Sequence, residues 1–327
     1  MDLFGIQNVG EFYSHHYLDE LLENDLKGLY SKWDEDQQTP DKRLNALATS
    51  YFKAKRQALR ASRDEARYRY SHAFHVDLLE ALGYVYHFDV RYLLEGETLP
   101  VLGTAERDGE EYVWIVETLF IDEDQSPLEQ QVLSEQYPSQ DEPVEWDFPD
   151  DTWDGLITEI FRRDDPPRWV ILLAGRLIFL CDRTKWGRGQ YLLFDLDEVY
   201  GRRETKTLKA VAALLSKDAL APDDGIPLHD TLDENSHKHA YGVSKDLKYG
   251  VRQAVELLAN EYVYYRSEVA KKSIYQDEDL ARKLTNESLT YLYRLLFLFY
   301  AEARGGELSI VPMKSDAYRT GYSLEML

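Results

Sequence analysis

The stretch Tyr112-Val-Trp-Ile-Val-Glu-Thr-Leu-Phe-Ile121 decides how this chain of 327 residues is read. It is β-branched, aromatic and continuous, and its one charge is Glu117. Such a run predicts a strand buried on both faces rather than a half-exposed one. Asp108-Gly109, just upstream, is a two-residue hairpin signal. It predicts that this strand is folded back on a preceding one. Two earlier strands are expected at Tyr84–Tyr92 and Leu99–Thr104, the second carrying Pro100 near its start. Downstream, Trp169-Val-Ile-Leu-Leu-Ala-Gly-Arg-Leu-Ile-Phe-Leu-Cys-Asp182 reads as two strands turning at Gly175-Arg176. Tyr191–Asp195 reads as another.

Helices flank this strand-rich centre. Leu18, Leu21, Leu22, Leu26 and Leu29 recur at helical steps, so residues 9–33 are expected to be helical. A polar break covers 34–41. Residues 42–83 read as one long or two consecutive helices, ended by Gly83. Residues 122–151, acidic and carrying Pro127, Pro138, Pro143 and Pro149, read as a surface excursion. A helix is expected over Trp153–Arg163, capped by Asp151 or Thr152 and broken by Pro166-Pro167. From Glu204 onward the pattern is helical: 204–218, 234–265 and 277–304. Three parts follow: an N-terminal helical segment (1–70), an α/β domain (71–220) and a helical segment (221–327).

Composition narrows the classes. An apolar fraction of 44%, with 24 Tyr, 12 Phe and 6 Trp, excludes disorder over most of the chain. The best apolar run is interrupted by Arg294, so no membrane span is expected. The N-terminus lacks the pattern of a secretory signal. The lone Cys181 lies in an apolar run and reads as a small hydrophobe. These features point to the cytoplasm. The net charge of −22 weighs against the chain as a whole gripping nucleic acid. The exception is the window from Lys53 to Arg69. It holds Lys53, Lys55, Arg56, Arg60, Arg63, Arg67 and Arg69, and the first five are the candidate DNA contacts. The plainer reading is a solvated helix face with pairs such as Arg60–Asp64.

The helix at 289–304 is apolar on nearly every face, so it needs protein on all sides. With Gly305-Gly306 behind it and the chain stopping at Leu327, the sequence reads as a fragment whose chemistry lies further on.

The order from residue 73 to 182 is helix, strand, strand, buried strand with an acid, helix, apolar strand. This is the order of the restriction-endonuclease core, a mixed sheet flanked by helices. There an Asp and a Glu-x-Lys hold a divalent metal and orient water. Glu117 is the candidate acid, and Glu80 on the preceding helix a possible third ligand. Position 119 is Leu where Lys is needed, and no Asp lies near Pro100-Val-Leu-Gly. Other signals are weaker. Ser236-His-Lys-His-Ala240 puts two His at i and i+2, which share no helix face. His15-His16 is isolated. His72 and His75 could share a helix face but lack a visible third partner. Gly187-Arg-Gly189 reads as a turn. No P-loop, dinucleotide fingerprint, Gly-x-Ser-x-Gly or zinc-ribbon spacing is present.

Several stretches resemble one family in their order. They are Phe74-His-Val-Asp-Leu-Leu-Glu-Ala-Leu-Gly83, Trp114-Ile-Val-Glu-Thr118, Pro167-Arg-Trp-Val-Ile-Leu-Leu-Ala-Gly-Arg176 and Phe194-Asp-Leu-Asp-Glu-Val199. To these add Asp233-Glu-Asn-Ser-His-Lys-His-Ala240 and the helix from Glu287 to Arg304 with Tyr322-Ser-Leu-Glu325. Together they resemble the N-terminal region of type IIG restriction–modification methylases, with relatives in the BREX and DISARM phage-defence systems. The resemblance implies a nuclease-like domain and a helical spacer, followed by a DNA adenine methyltransferase. It implies DNA and other defence proteins as partners, and S-adenosylmethionine for the methyltransferase part, whose Asn-Pro-Pro-Tyr/Phe motif is not in these residues. Mg²⁺ is implied only for an active nuclease. With two of three metal-site groups missing, the chain itself is expected not to cut. The alternatives are a metal-dependent endonuclease with relocated ligands and an acidic protein that imitates DNA.

Overall fold

The computed structural model describes residues 4–14, 17, 22–33, 38–93, 96–137, 146–272, 279–303, 310–313 and 315–324. His15, His16, Leu18, Leu21, Pro138, Pro143, Gly305, Gly306, residues 34–37 of the polar break, and the stretch 325–327 lie outside them. The chain divides into two compact units, residues 1–238 and 239–327.

The first unit begins with β1 (Ile6–Val9) and four helices: α1 (Leu22–Trp33), α2 (Pro40–Ala46), α3 (Ala48–Arg60) and α4 (Asp64–Ala81). A small hairpin follows, β2 (Asp89–Tyr92) with β3 (Thr98–Val101). Then come β4 (Gly103–Arg107), β5 (Glu110–Thr118), α5 (Trp153–Ile160), β6 (Trp169–Ala174), β7 (Leu177–Asp182) and β8 (Tyr191–Asp195). Helices α6 (Leu196–Arg202), α7 (Thr205–Leu215) and α8 (Lys217–Leu220) precede α9 (Leu228–Tyr264). The result is an α/β fold: a mixed six-stranded sheet ordered β1-β8-β7-β6-β5-β4, flanked by helices and followed by a helical part.

Local chemistry fixes the sheet. Asp108 and Gly109 both take positive φ, 55° and 83°, so the β4–β5 connection has the twist a two-residue hairpin needs. Gly175, at φ 60°, turns β6 into β7. β5 and β6 are the parallel pair. A parallel pair needs a long crossover, and residues 119–168, with α5, supply it.

Side-chain alternation sorts the sheet into two cores. Val113, Ile115, Trp169, Ile171 and Leu173 join α1–α4 and α7 on one side. Trp114, Val116, Val170, Leu172 and Cys181 join α5 and the β2–β3 hairpin on the other. The period of two is the pleat itself. It dictates that Glu117, sharing parity with Val113 and Ile115, points into the helical core on the α4 side.

The structure corrects several expectations. The stretch 9–33 is not helical from its start: Val9 ends a strand over Ile6–Val9 that pairs Ile6 with Phe194 and Val9 with Tyr191, and α1 begins at Leu22. Residues 42–83 hold three helices, since the chain breaks at Leu47 and again over 61–63. Of Tyr84–Tyr92 only Asp89–Tyr92 is strand. The segment 122–151 is no mere surface excursion. Val132, Gln136 and Tyr137 are buried, and the Tyr137 hydroxyl donates to the Thr98 carbonyl at 2.5 Å.

In the second unit α9 ends in a π turn (Tyr265–Val269), and α10 (Leu280–Ala303) follows. Tyr293, Phe297 and Tyr300 on α10 are 71%, 51% and 55% exposed. Its end is clamped by Glu302, whose carboxylate accepts from the Tyr318 and Ser323 hydroxyls and the Leu324 amide. Among the described residues no helix is long and apolar enough to cross a membrane.

The turn glycines give a graded test. A Cβ on Gly175 would lie 2.6 Å from the Phe120 ring, whereas one on Gly109 meets nothing within 4 Å. Gly175→Ala therefore carries both backbone strain and overpacking and should lower the unfolding free energy by about 2–4 kcal/mol. Gly109→Ala should lower it by only about 1–2 kcal/mol. Urea denaturation of the two variants checks the difference.

Candidate functional site

The site grows from two sequence periods. On β5 the pleat aims Glu117 at α4. On α4 the spacing of Tyr68, His72 and His75 places three polar rings on the side that meets the strand. Glu117 is 2% exposed and His75 is fully buried. The Nδ1 of His72 donates to Glu117 Oε1 at 2.7 Å, and the Nδ1 of His75 donates to Oε2 at 2.8 Å. His75 Nε2 accepts the Gly175 amide at 3.0 Å. A ring nitrogen that accepts carries no proton, so His75 is the neutral Nδ1–H tautomer. The chain β5–α4–turn is thus stitched by one carboxylate, one imidazole and one glycine amide.

Further bonds close the frame. Gln136 Nε2 donates to the Glu117 carbonyl at 2.7 Å. Ser71 accepts the Phe120 amide and donates to the Arg67 carbonyl. The Tyr68 hydroxyl lies 3.3 Å from His72 Nδ1 and the Tyr86 hydroxyl 3.4 Å from Nε2. His72 keeps a quarter of its side chain exposed, whereas Glu117 and His75 are buried.

Burial pushes the Glu117 carboxyl up, but the hydrogen bonds from His72 and His75 outweigh it and hold it below the usual range. Burial pushes the His72 imidazolium down, but Glu117 outweighs it and the net shift is upward. Burial and then the Glu117 charge push the Tyr68 phenol up. Each hydrogen bond to the carboxylate contributes about 1.5–3 kcal/mol, against a desolvation cost of several kcal/mol.

Glu117 and Glu80 are not brought together. His75 and Leu78 point inward, whereas Glu80 is exposed on α4. It lines a cavity of about 700 Å³ with Lys42, Arg43 and Asp77. Leu119, at the position where a Glu-x-Lys pattern calls for lysine, is buried, as are Val101 and Leu102. Among the described residues no group of three or more His, Cys, Asp or Glu is arranged to hold a metal ion.

The cationic candidates separate into two kinds. Lys53, Arg56, Arg60 and Arg63 are exposed. Lys55 is half-buried and bound to Asp197 at 2.5 Å, beside Tyr51, whose hydroxyl takes the other Asp197 oxygen. The Arg60–Asp64 helical pair does not form, because residues 61–63 separate α3 from α4.

A second polar cluster was not foreseen in the sequence. Lys185 Nζ bonds Asp233 Oδ1 at 2.5 Å and sits 4.0 Å from the centre of the Phe12 ring. Tyr13 donates to His229 Nδ1 at 2.7 Å, and His229 Nε2 donates to the Leu214 carbonyl at 2.7 Å. Burial holds His229 down at about 4. Of the Ser236–Ala240 run, Ser236 accepts the Ser14 amide and His237 is exposed, 4.0 Å from Asp233. The His239 side chain lies outside the described residues.

A comparison of the chain with family models, curated proteins and solved structures finds no match in any of the three.

The two histidine systems predict opposite pH dependences. His229 has a depressed pKa in the folded state. Its contribution is whole above about 6.5 and is lost as pH falls toward 4, up to roughly 3 kcal/mol. His72 has a raised one, so its contribution is whole below about 6.5 and is lost as pH rises through the folded value. Urea unfolding across this range should show stability falling below pH 6.5 in the parent and a flatter acid limb in His229→Gln. An unchanged acid limb in the variant would remove the assignment.

Proposed function

We propose that this chain is a nuclease-like, non-cutting DNA-binding region with a helical spacer, from a DNA restriction–modification or phage-defence adenine methyltransferase. The observation that carries the reading is the state of Glu117. On this reading it is the counterpart of the catalytic acid on the buried strand, yet both of its oxygens are bound by histidines. A metal-dependent nuclease needs that carboxylate free, a second acid beside it and a cation near the scissile phosphate. Here the acid bridges two histidines, and the position at which Glu-x-Lys calls for a lysine is Leu119.

The arrangement around the strand supports the fold part of the reading. Helix α4, the β4–β5 hairpin, α5 and β6 parallel to β5 follow one another in the order of a restriction-endonuclease core. The helical part from α9 onward corresponds to the spacer, and the exposed aromatic side chains of α10 suit a segment that packs against a further domain. S-adenosylmethionine and the flipped adenine belong to the methyltransferase part of such enzymes, not to these residues. DNA would be met through α3. Lys53, Arg56 and Arg60 follow one another at three and four residues along this helix and are all exposed. They form a local basic stripe on a chain of net charge −22.

Two assays test this. With duplex DNA and Mg²⁺, the parent and Glu117→Gln should both leave the substrate intact. Cutting by the parent that is lost in the variant would make the chain an active nuclease instead. In fluorescence anisotropy, Lys53→Gln/Arg56→Gln/Arg60→Gln should weaken duplex binding. It should also flatten the slope of log affinity against log salt by about 2–3 between about 50 and 200 mM. Equal affinity and slope for variant and parent would remove α3 from the interface.

A further inference from the structure

The corner between α3 and α4 holds a cavity of about 410 Å³, within the size range of small-ligand sites. Gln57, Arg60, Ser62, Arg63 and Tyr70 line it, with two alanines whose small side chains leave it open. No carboxylate is among the lining residues. Arg60 and Arg63 make no ion pair or side-chain hydrogen bond among the described residues, in contrast to Lys55 one helical turn earlier, which is bound to Asp197. Two exposed, uncommitted arginines, a serine and a glutamine border a space with no carboxylate on its walls. Such donors suit the tetrahedral oxygens of a phosphate, and two positive charges suit a dianion better than a phosphodiester.

The aromatic ring specifies more than phosphate. Tyr70, one turn beyond Ala66, is half-buried: it packs against the core and also borders the cavity, with the Arg69 guanidinium 5.8 Å from its ring centre. A ring beside a phosphate clamp is how unpaired bases are held without regard to sequence. The stripe Lys53–Arg56–Arg60 on α3 leads to the same corner.

We propose that the α3–α4 corner is a nucleotide site that takes a phosphomonoester: Arg60 and Arg63 hold the terminal phosphate, and Tyr70 stacks on the base. The proposal rests on the reading that α3 faces nucleic acid. The ligand could be the 5′-phosphorylated end of a strand or a free nucleoside monophosphate, and the chemistry is the same.

Two short single-stranded oligonucleotides, alike except for a 5′-phosphate or a 5′-hydroxyl, test it by anisotropy with the full chain. The phosphorylated strand should bind about tenfold tighter. Arg60→Gln/Arg63→Gln should erase that ratio. Lys53→Gln/Arg56→Gln should weaken both strands alike and keep it. Tyr70→Leu should weaken both strands while leaving the ratio in place. Circular dichroism confirms that each variant is folded. Adenosine monophosphate that competes with the phosphorylated strand assigns the site to free nucleotides as well, and lack of competition assigns it to strand ends. Equal affinity of the two oligonucleotides for the parent, or a ratio that survives Arg60→Gln/Arg63→Gln, would overturn the proposal. If the ratio behaves as expected while duplex binding ignores Lys53 and Arg56, the pocket stands and the broader DNA reading falls.

Discussion

One buried carboxylate holds the centre of this molecule together. Glu117 lies on a strand with no solvent on either side, and it stays ionised there because His72 and His75 each give it a proton donor. Through them it fixes α4 against the sheet. Through His75 it also fixes the β6–β7 turn, whose glycine amide closes the chain of bonds. A carboxylate spent in this way is poorly placed to serve a metal. Structural and catalytic use of the same two oxygens compete, and the geometry favours the structural one.

Much of the sheet was legible in the sequence. The Val113–Thr118 run, the Asp108-Gly109 hairpin and the Gly175 turn all act through local sterics, and local sterics are written in the residues themselves. The β1 strand was not legible, because four residues between two glycines carry no period to read. Its place is set by pairing with β8, nearly two hundred positions away. The breaks that divide residues 42–83 were also hidden, since Leu47 and residues 61–63 contain neither Gly nor Pro. Their effect is large. By separating α3 from α4, the second break leaves Arg60 unpaired at a corner where a continuous helix would have offered it Asp64.

The site was half legible. Glu117 stood out as the one charge in an apolar strand, and His72 with His75 as a pair on one helix face. What joined them was the pleat. The parity of Glu117 with Val113 and Ile115 aims it at the helix that carries both histidines. The Lys185–Asp233 and Tyr13–His229 pairs could not be found in this way, because they link segments more than forty residues apart with no shared period. The acidity of the chain misleads in a similar manner. A total of −22 describes the surface as a whole, whereas binding follows local charge.

The most direct measurement is a long-range proton–nitrogen spectrum of the two rings, Glu117's partners, recorded as Mg²⁺ is added. If the carboxylate is a bridge, His75 shows the Nδ1–H tautomer throughout, and neither ring's signals move with metal. If instead the metal draws Glu117 away, both rings lose their acceptor and their nitrogens shift together as the cation is titrated. That result would contradict the account and return the strand to nuclease chemistry.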